Sequence, residues 1–208
     1  MKKILYLLLL TFICASCNDM KDKPEPRNFP ENTNEKGKMY VLSEGLYHLN
    51  NSTLACIDFD ERKMDFNFFA VKNGRGLGDT ANDMKRYGDR LWIVVCGSSQ
   101  VEIVHISTGK SIKRLALTNQ NDEPRYPRAI TFWENKAYVC SFDGSITEID
   151  TASFVMKTNI YCGRNPDGIV AVNGKLYVSN SGGLDFPNYD STVSVIDLAI
   201  YREIKRIK

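Results

Sequence analysis

Arg125–Ser141 reads RYPRAITFWENKAYVCS, and Arg164–Asn180 reads RNPDGIVAVNGKLYVSN. The two stretches superpose without a gap: arginine on arginine, proline on proline, Lys136 on Lys175, and Tyr138-Val139 on Tyr177-Val178. Each holds two runs rich in β-branched and aromatic residues, parted by a tight turn, ENK in one and NGK in the other. That is the pattern of paired antiparallel strands. Immediately afterwards the match breaks. The first copy continues with FDGS, while the second spends the twelve residues SGGLDFPNYDST, Ser181–Thr192, in the same place.

Beyond the break the repeat resumes. A third run ends in an apolar-Asp pair (ITEID, VSVID), and a fourth closes the unit (VMKTNI, YREIKRI). The third run brings Leu54, Val101, Ile146 and Val193 into register. It also aligns Asp58, His105, Asp150 and Asp197 at spacings of 47, 45 and 47 residues. No helical period follows the N-terminal segment. Four short strands per unit of about 45 residues predict an all-β fold, a β-propeller of four-stranded blades. One blade cannot bury both faces of its sheet, and radial stacking solves that while leaving only short edges. Three full units and three-quarters of another are counted, because the first begins at KMYVLS, which matches the second strand of the others. Lys208 stands one residue past Ile207, the counterpart of Ile160, where another blade would begin. The expectation is an incomplete propeller, a fragment of a ring of about seven blades.

The N-terminus has a different character. MKK is a short basic segment, and the ten residues Ile4–Ile13 are apolar, too few to span a bilayer but right for a secretory signal. Ala15 and Ser16 before Cys17 resemble a bacterial lipobox, in which the cysteine is diacylated. Cys14 departs from that pattern, which prefers leucine. Residues 18–37 are polar and carry three prolines, a composition that cannot bury enough surface to fold. The expected organisation is a signal peptide at 1–16, a flexible lipid-anchored tether at 17–37 with Cys17 acylated, and the incomplete propeller at 38–208. Several acyl chains on one cysteine, at about 0.8 kcal/mol per buried methylene, make a stable anchor.

Setting aside Lys2 and Lys3, 25 basic side chains stand against 25 acidic ones. That balance, without a basic block, argues against nucleic acid as a partner. Cys56, Cys96, Cys140 and Cys162 show no CxxC or Cys/His spacing, and buried free thiols are expected. The two histidines, His48 and His105, are isolated, so no zinc or haem site and no other metal site is expected.

In a propeller one rim carries two loops per blade: the lead-in to the innermost strand, and the loop between strands two and three. Alignment of the lead-in loops places Asn82-Asp83, Pro127-Arg128 and Pro166-Asp167 as equivalents. A ring of polar groups, Asn82, Asp83, Arg128 and Asp167, is then expected around the channel. The second set of loops holds ten residues (Glu44–Thr53), five (Cys96–Gln100), four (Phe142–Ser145) and twelve (Ser181–Thr192). A strand connection needs only about two to five, and surplus length on a rigid scaffold is where binding commonly lives. The two long loops offer Glu44, Tyr47, His48 and Asn50, and Asp185, Phe186, Asn188 and Tyr189. Tyr40, Trp92, Tyr138 and Tyr177 recur in the second strand and are expected to pack blade against blade. His105 stands where the other units place a turn aspartate.

The segments GDTANDM, NPDG and SGG…PNYDSTVSVID, together with the lipobox, resemble the YVTN/YncE-like propellers and, more narrowly, the surface lipoprotein propellers of Bacteroidota. The resemblance covers Lys38 to Lys208. It implies a non-catalytic, outer-membrane, surface-exposed lipoprotein. Such a protein would capture cobalamin (vitamin B12) or a related corrinoid, bound as ligand rather than cofactor, for a TonB-dependent outer-membrane transporter. Aromatic rings fringed by amides and carboxylates suit such a ligand, and they suit a protein partner equally. Two other readings stay open. One is a propeller enzyme of the calcium-dependent lactonase or lyase type, using Asn82, Asp83 and Asp167. The other is a docking scaffold without a small ligand. No nucleophile–base pair is visible, and no catalytic residue is assigned.

Overall fold

The computed structural model describes residues 36–183 and 185–208. The signal peptide, Cys17 and the tether up to residue 35 lie outside the described residues. From Gly37 onward the chain forms one compact unit. Blade 1 has three strands, β1 (Lys38–Ser43), β2 (Thr53–Asp58) and β3 (Lys63–Asp65). Blade 2 comprises β4 (Ala81–Tyr87), β5 (Arg90–Val95), β6 (Gln100–His105) and β7 (Ser111–Ala116). Blade 3 follows with β8 (Pro127–Trp133), β9 (Lys136–Ser141), β10 (Ser145–Asp150) and β11 (Met156–Tyr161). Blade 4 is β12 (Pro166–Val172), β13 (Lys175–Asn180), β14 (Thr192–Asp197) and β15 (Arg202–Ile207). Within every blade sequential strands pair antiparallel, so each is a meander. Among the described residues blade 1 has no innermost strand, in line with its sequence.

Stacking buries what a single sheet cannot. Leu54 and Cys56 of blade 1 pack against Leu91, Ile93, Val95 and Val104 of blade 2. Trp92, Val94, Val101 and Ile103 of blade 2 meet Ile130, Ala137, Val139 and Ile149 of blade 3. Tyr138, Cys140, Ile146 and Ile160 of blade 3 meet Ile169, Leu176, Val178 and Ile196 of blade 4. Alternate residues of each central strand therefore serve opposite neighbours, as a period of two requires. Trp92 and Tyr138 are fully buried between blades, as expected of the second-strand aromatics, whereas Tyr40 and Tyr177 are half-buried. All four cysteines from Cys56 onward are free. Three are buried and Cys162 is half-buried; burial pushes the Cys140 and Cys162 thiols up to about 12, which leaves them protonated and unreactive.

One element departs from the sequence expectation. Residues Phe68–Asn73 form a short helix, α1, in the link between blades 1 and 2. It lays Phe68 and Phe69 into that interface and ends at Gly74 in the left-handed region, φ 65°. Six residues make less than two turns, too few to print a period on the sequence. Past α1, Arg75 reaches the fully buried carboxylate of Glu102 at 2.9 Å, which Arg114 also approaches at 3.2 Å.

The repeated aspartates hold the outer turns. Asp58 accepts from the amides of Asp60 and Glu61, Asp150 from those of Ala152 and Ser153, and Asp197 from that of Ala199. His105 instead engages the Ser107 hydroxyl through Nδ1 at 3.1 Å.

Candidate functional site

Each innermost strand starts in the same way. Thr80, Tyr126 and Asn165 adopt positive φ (58°, 55° and 46°), and a bulge follows directly. Ala81 pairs with Val95 and Asp83 with Val94; Pro127 pairs with Ser141 and Ala129 with Cys140; Pro166 pairs with Asn180 and Gly168 with Ser179. The extra residues are Asn82, Arg128 and Asp167. A bulge redirects its extra side chain out of the pleat. The ring position is thus held by Asn82, and the sequence alignment, which set Asp83 opposite Arg128 and Asp167, was shifted by one residue. The carboxylate of Asp83 accepts from the amide of Ile130 on β8 at 2.9 Å, tying blade 2 to blade 3.

The bulge residues and the loops between strands two and three share one rim. Cys96, Phe142 and Ser181 donate backbone bonds to the carbonyls of Thr80, Tyr126 and Asn165, so each such loop is sewn to its own blade's lead-in. Neighbours are joined as well: the Ser52 backbone N–H donates to the Gly78 carbonyl, and the side-chain Nδ2 of Asn165 donates to the Phe142 carbonyl. Two cross-blade polar pairs form on this rim. Asn82 Nδ2 donates to Glu44 Oε1 at 2.5 Å, and Arg128 Nε donates to Asp167 Oδ1 at 2.6 Å. The Arg128 guanidinium lies 4.7 Å from the centre of the Phe142 ring and borders Cys96. Burial pushes the Cys96 thiol above its ordinary range, against the pull of Arg128.

Four sequence candidates, Glu44, Asn82, Arg128 and Asp167, therefore meet in pairs at the inner rim. Tyr47 meets His48 within its own loop at a tilt of 46°, with ring centres 3.9 Å apart, and both Tyr47 and Leu46 are exposed.

The blade 4 loop has a defined neck. Asp190 donates its amide to the Ser181 carbonyl at 3.1 Å, and its carboxylate accepts from the amide and hydroxyl of Thr192. Asp143 makes the same pair of bonds to Ser145 in blade 3, so both loops end alike. The insertion is the eight residues 182–189 above the neck. Gly182, at φ 73°, starts it: a Cβ there would fall 2.4 Å from the Asp190 amide nitrogen, so glycine is required. At the tip, Phe186 and Tyr189 form an exposed edge-to-face pair 6.0 Å apart.

The sequence aligns Arg125 with Arg164 without revealing their shared role. Both hold the loop between strands two and three of their own blade. Arg125 donates to Asp143 at 2.6 Å, and Arg164 donates to Asp185 at 3.1 Å and to the Asn188 carbonyl. The signal was the superposition itself, since arginine recurs in both lead-ins, although the partner of Arg164, Asp185, lies within the insertion and has no counterpart in blade 3. Among the described residues no three His, Cys, Asp or Glu side chains converge as a metal-ligand group.

Neither a family model nor a curated protein matches the chain. Solved structures do. The chain is similar to hydrazine synthase of Kuenenia stuttgartiensis, with a TM-score of 0.60 at 18% identity, covering 74% of this chain and 42% of that one. Sqt1 of Saccharomyces cerevisiae superposes with a TM-score of 0.62 at 11% identity over 82% of this chain and 45% of that one. The WD40 repeats of RRP9 give 0.55 at 11% identity over 74% and 42%. The fold is of propeller type. The chain spans less than half the length of these three proteins.

Proposed function

We propose that this rim captures a ligand without catalysis, and that the ligand is cobalamin or a related corrinoid, held at the cell surface for a TonB-dependent outer-membrane transporter. The observation that carries the reading is the coincidence on one rim of the two overlong loops and the two cross-blade polar pairs, Glu44–Asn82 and Arg128–Asp167. A corrinoid is a broad, partly apolar disc fringed with amides. Exposed rings at Phe186, Tyr189 and Tyr47 supply flat apolar contact, and the amide and carboxylate groups beneath supply partners for its fringe. The choice of corrinoid and of transporter, like the surface lipid anchor at Cys17, rests on the resemblance of the sequence to Bacteroidota surface propellers.

Calorimetry with cyanocobalamin tests it. One saturable site per chain is expected, and no heat at micromolar protein overturns the corrinoid reading. Excising residues 182–189, which the Ser181–Asp190 neck already closes off, should move the melting temperature by less than about 3 °C. The same excision should weaken binding at least tenfold, about 1.4 kcal/mol. Unchanged affinity would remove this loop from the site.

A further inference from the structure

A corner between neighbouring blades, at the strand ends away from the overlong loops, is filled at one interface and open at the next. Between blades 2 and 3 it is packed with rings. Phe132, near the end of β8, stacks on Tyr87 at 4.6 Å and meets Trp92 edge-on at 5.6 Å. Phe154, in the outer turn of blade 3, lies 5.9 Å from Trp92 and carries the Arg90 guanidinium at 5.2 Å. Between blades 3 and 4 the counterparts of Tyr87, Trp92, Phe154 and Arg90 are Trp133, Tyr138, Tyr201 and Lys136. Ring answers to ring and cation to cation, and Lys136 again sits over its ring, 5.6 Å from the centre of Tyr201. The counterpart of Phe132, however, is Ala171. In place of a packed corner there is a cavity of about 480 Å³, lined by Trp133, Tyr138, Tyr201, Asn173, Lys175 and Asp197 among others. Roughly 150 Å³ admits a benzene ring. The Ala171 amide donates to Thr131 Oγ1 of blade 3 at 3.2 Å, which holds β12 in place beside the opening.

The same corner breaks the repeat a second time. Glu148 occupies a β10 position where the other blades carry Cys56, Ile103 and Val195. It stands opposite Tyr138 in the β9–β10 pairing, so both side chains face blade 4. Glu148 Oε1 accepts from Lys136 Nζ at 2.8 Å, and Lys136 also donates to the Tyr201 hydroxyl at 3.0 Å. The Glu148 side chain is 8% exposed, and its Oε2 is buried without a hydrogen-bond partner. An unpartnered carboxylate oxygen at a position that elsewhere holds an apolar residue costs stability, and a donor on a ligand would satisfy it. The surrounding charge favours a neutral donor over an anion. Glu134, Glu148 and Asp197 stand against Lys136 and Lys175, and Lys136 is already engaged.

We propose that this corner is a second small-molecule site and that it takes a phenol. The ring fills the place that Phe132 fills one interface earlier, against Trp133 and Tyr138, and the hydroxyl donates to Glu148 Oε2. The site stands at the other ends of the strands from the rim assigned to the corrinoid, and it does not depend on that reading.

Fluorine magnetic resonance of the purified chain with 4-fluorophenol tests it. The ligand signal should broaden and shift saturably at millimolar concentrations, and 4-fluorobenzoate should bind about tenfold more weakly for want of a donor. Ala171→Phe restores the ring of the neighbouring interface. It should keep the circular dichroism spectrum, hold or raise the melting temperature, and abolish binding. Trp133→Ala, at a half-exposed position, removes the stacking surface and should weaken binding about tenfold in a chain that still folds. Glu148→Gln keeps the shape and should bring the affinities of the two compounds together. A parent chain without saturable binding overturns the proposal. So does 4-fluorophenol binding that survives both Ala171→Phe and Trp133→Ala, and so does a parent chain that binds 4-fluorobenzoate as tightly as the phenol.

Discussion

Trp92→Ala is expected to lower the free energy of unfolding by about 3–5 kcal/mol, the largest effect of any single truncation in this chain. The indole is fully buried between blades 2 and 3. It meets the Phe132 ring edge-on at 5.6 Å and the Phe154 ring at 5.9 Å, and Phe132 in turn stacks on Tyr87 at 4.6 Å. The walls around it are two hydrogen-bonded sheets, which cannot close onto the void, so the cavity cost adds to the lost transfer energy. Trp92 Nε1 has no hydrogen-bond partner, and its removal therefore orphans no acceptor. Urea denaturation followed by far-ultraviolet circular dichroism reads the loss as a lower midpoint. Tyr47→Ala, on an exposed loop, should change stability by less than about 0.5 kcal/mol. A loss below 1 kcal/mol at Trp92 would mean that blades 2 and 3 do not share one interface.

The reason Trp92 could be assigned to packing from sequence alone is that it recurs with Tyr40, Tyr138 and Tyr177 at one position of the repeat. Whatever repeats is legible, because four copies of one blade share one environment. The strand order, the missing strand of blade 1 and the turn aspartates all belong to that class. What occurs once is illegible for the matching reason. Helix α1 is shorter than the period it would have to show. Glu102 is buried with Arg75 and Arg114 at a position where the other blades carry Ala55, Thr147 and Ser194, so no alignment could nominate it. The one-residue error at Asp83 has a backbone cause. A bulge adds a residue to the strand without altering the repeat length, and only the pairing register reveals which side chain is extra. At the rim, Glu44, Asn82, Arg128 and Asp167 were each nominated from loop position. That they pair as Glu44–Asn82 and Arg128–Asp167, across blades, depends on curvature that no linear spacing encodes.

The second large effect separates two arginines that the sequence treats as equals. Arg125→Ala should cost about 2–3 kcal/mol of stability, and Arg164→Ala less than about 1. The Arg125 side chain is 10% exposed and donates to Asp143 Oδ2 at 2.6 Å, to Ser145 Oγ at 3.0 Å and to the Thr118 carbonyl at 2.9 Å. Three donors from one planar fork tie the lead-in of blade 3 to the start of β10. Truncation removes all three bonds, and the partial exposure of Asp143 keeps the cost below that of a fully buried pair. Lysine at position 125 should recover only part of the loss, since a point charge cannot replace the fork. Arg164 makes its contacts in the open, with both it and Asp185 more than half exposed. Water replaces them at little cost, so its removal should leave the unfolding midpoint almost unmoved while freeing Asp185 and Asn188 above the neck of the loop. Salt separates the two further. Raising ionic strength to 1 M shrinks the Debye length to about 3 Å, which should erase the small effect at Arg164 and leave most of the Arg125 effect in place. Equal costs for the two truncations in low salt would mean that the blade 4 loop is as deeply bound into its blade as the blade 3 loop. A loop so fixed could not serve as the adaptable edge of a binding site.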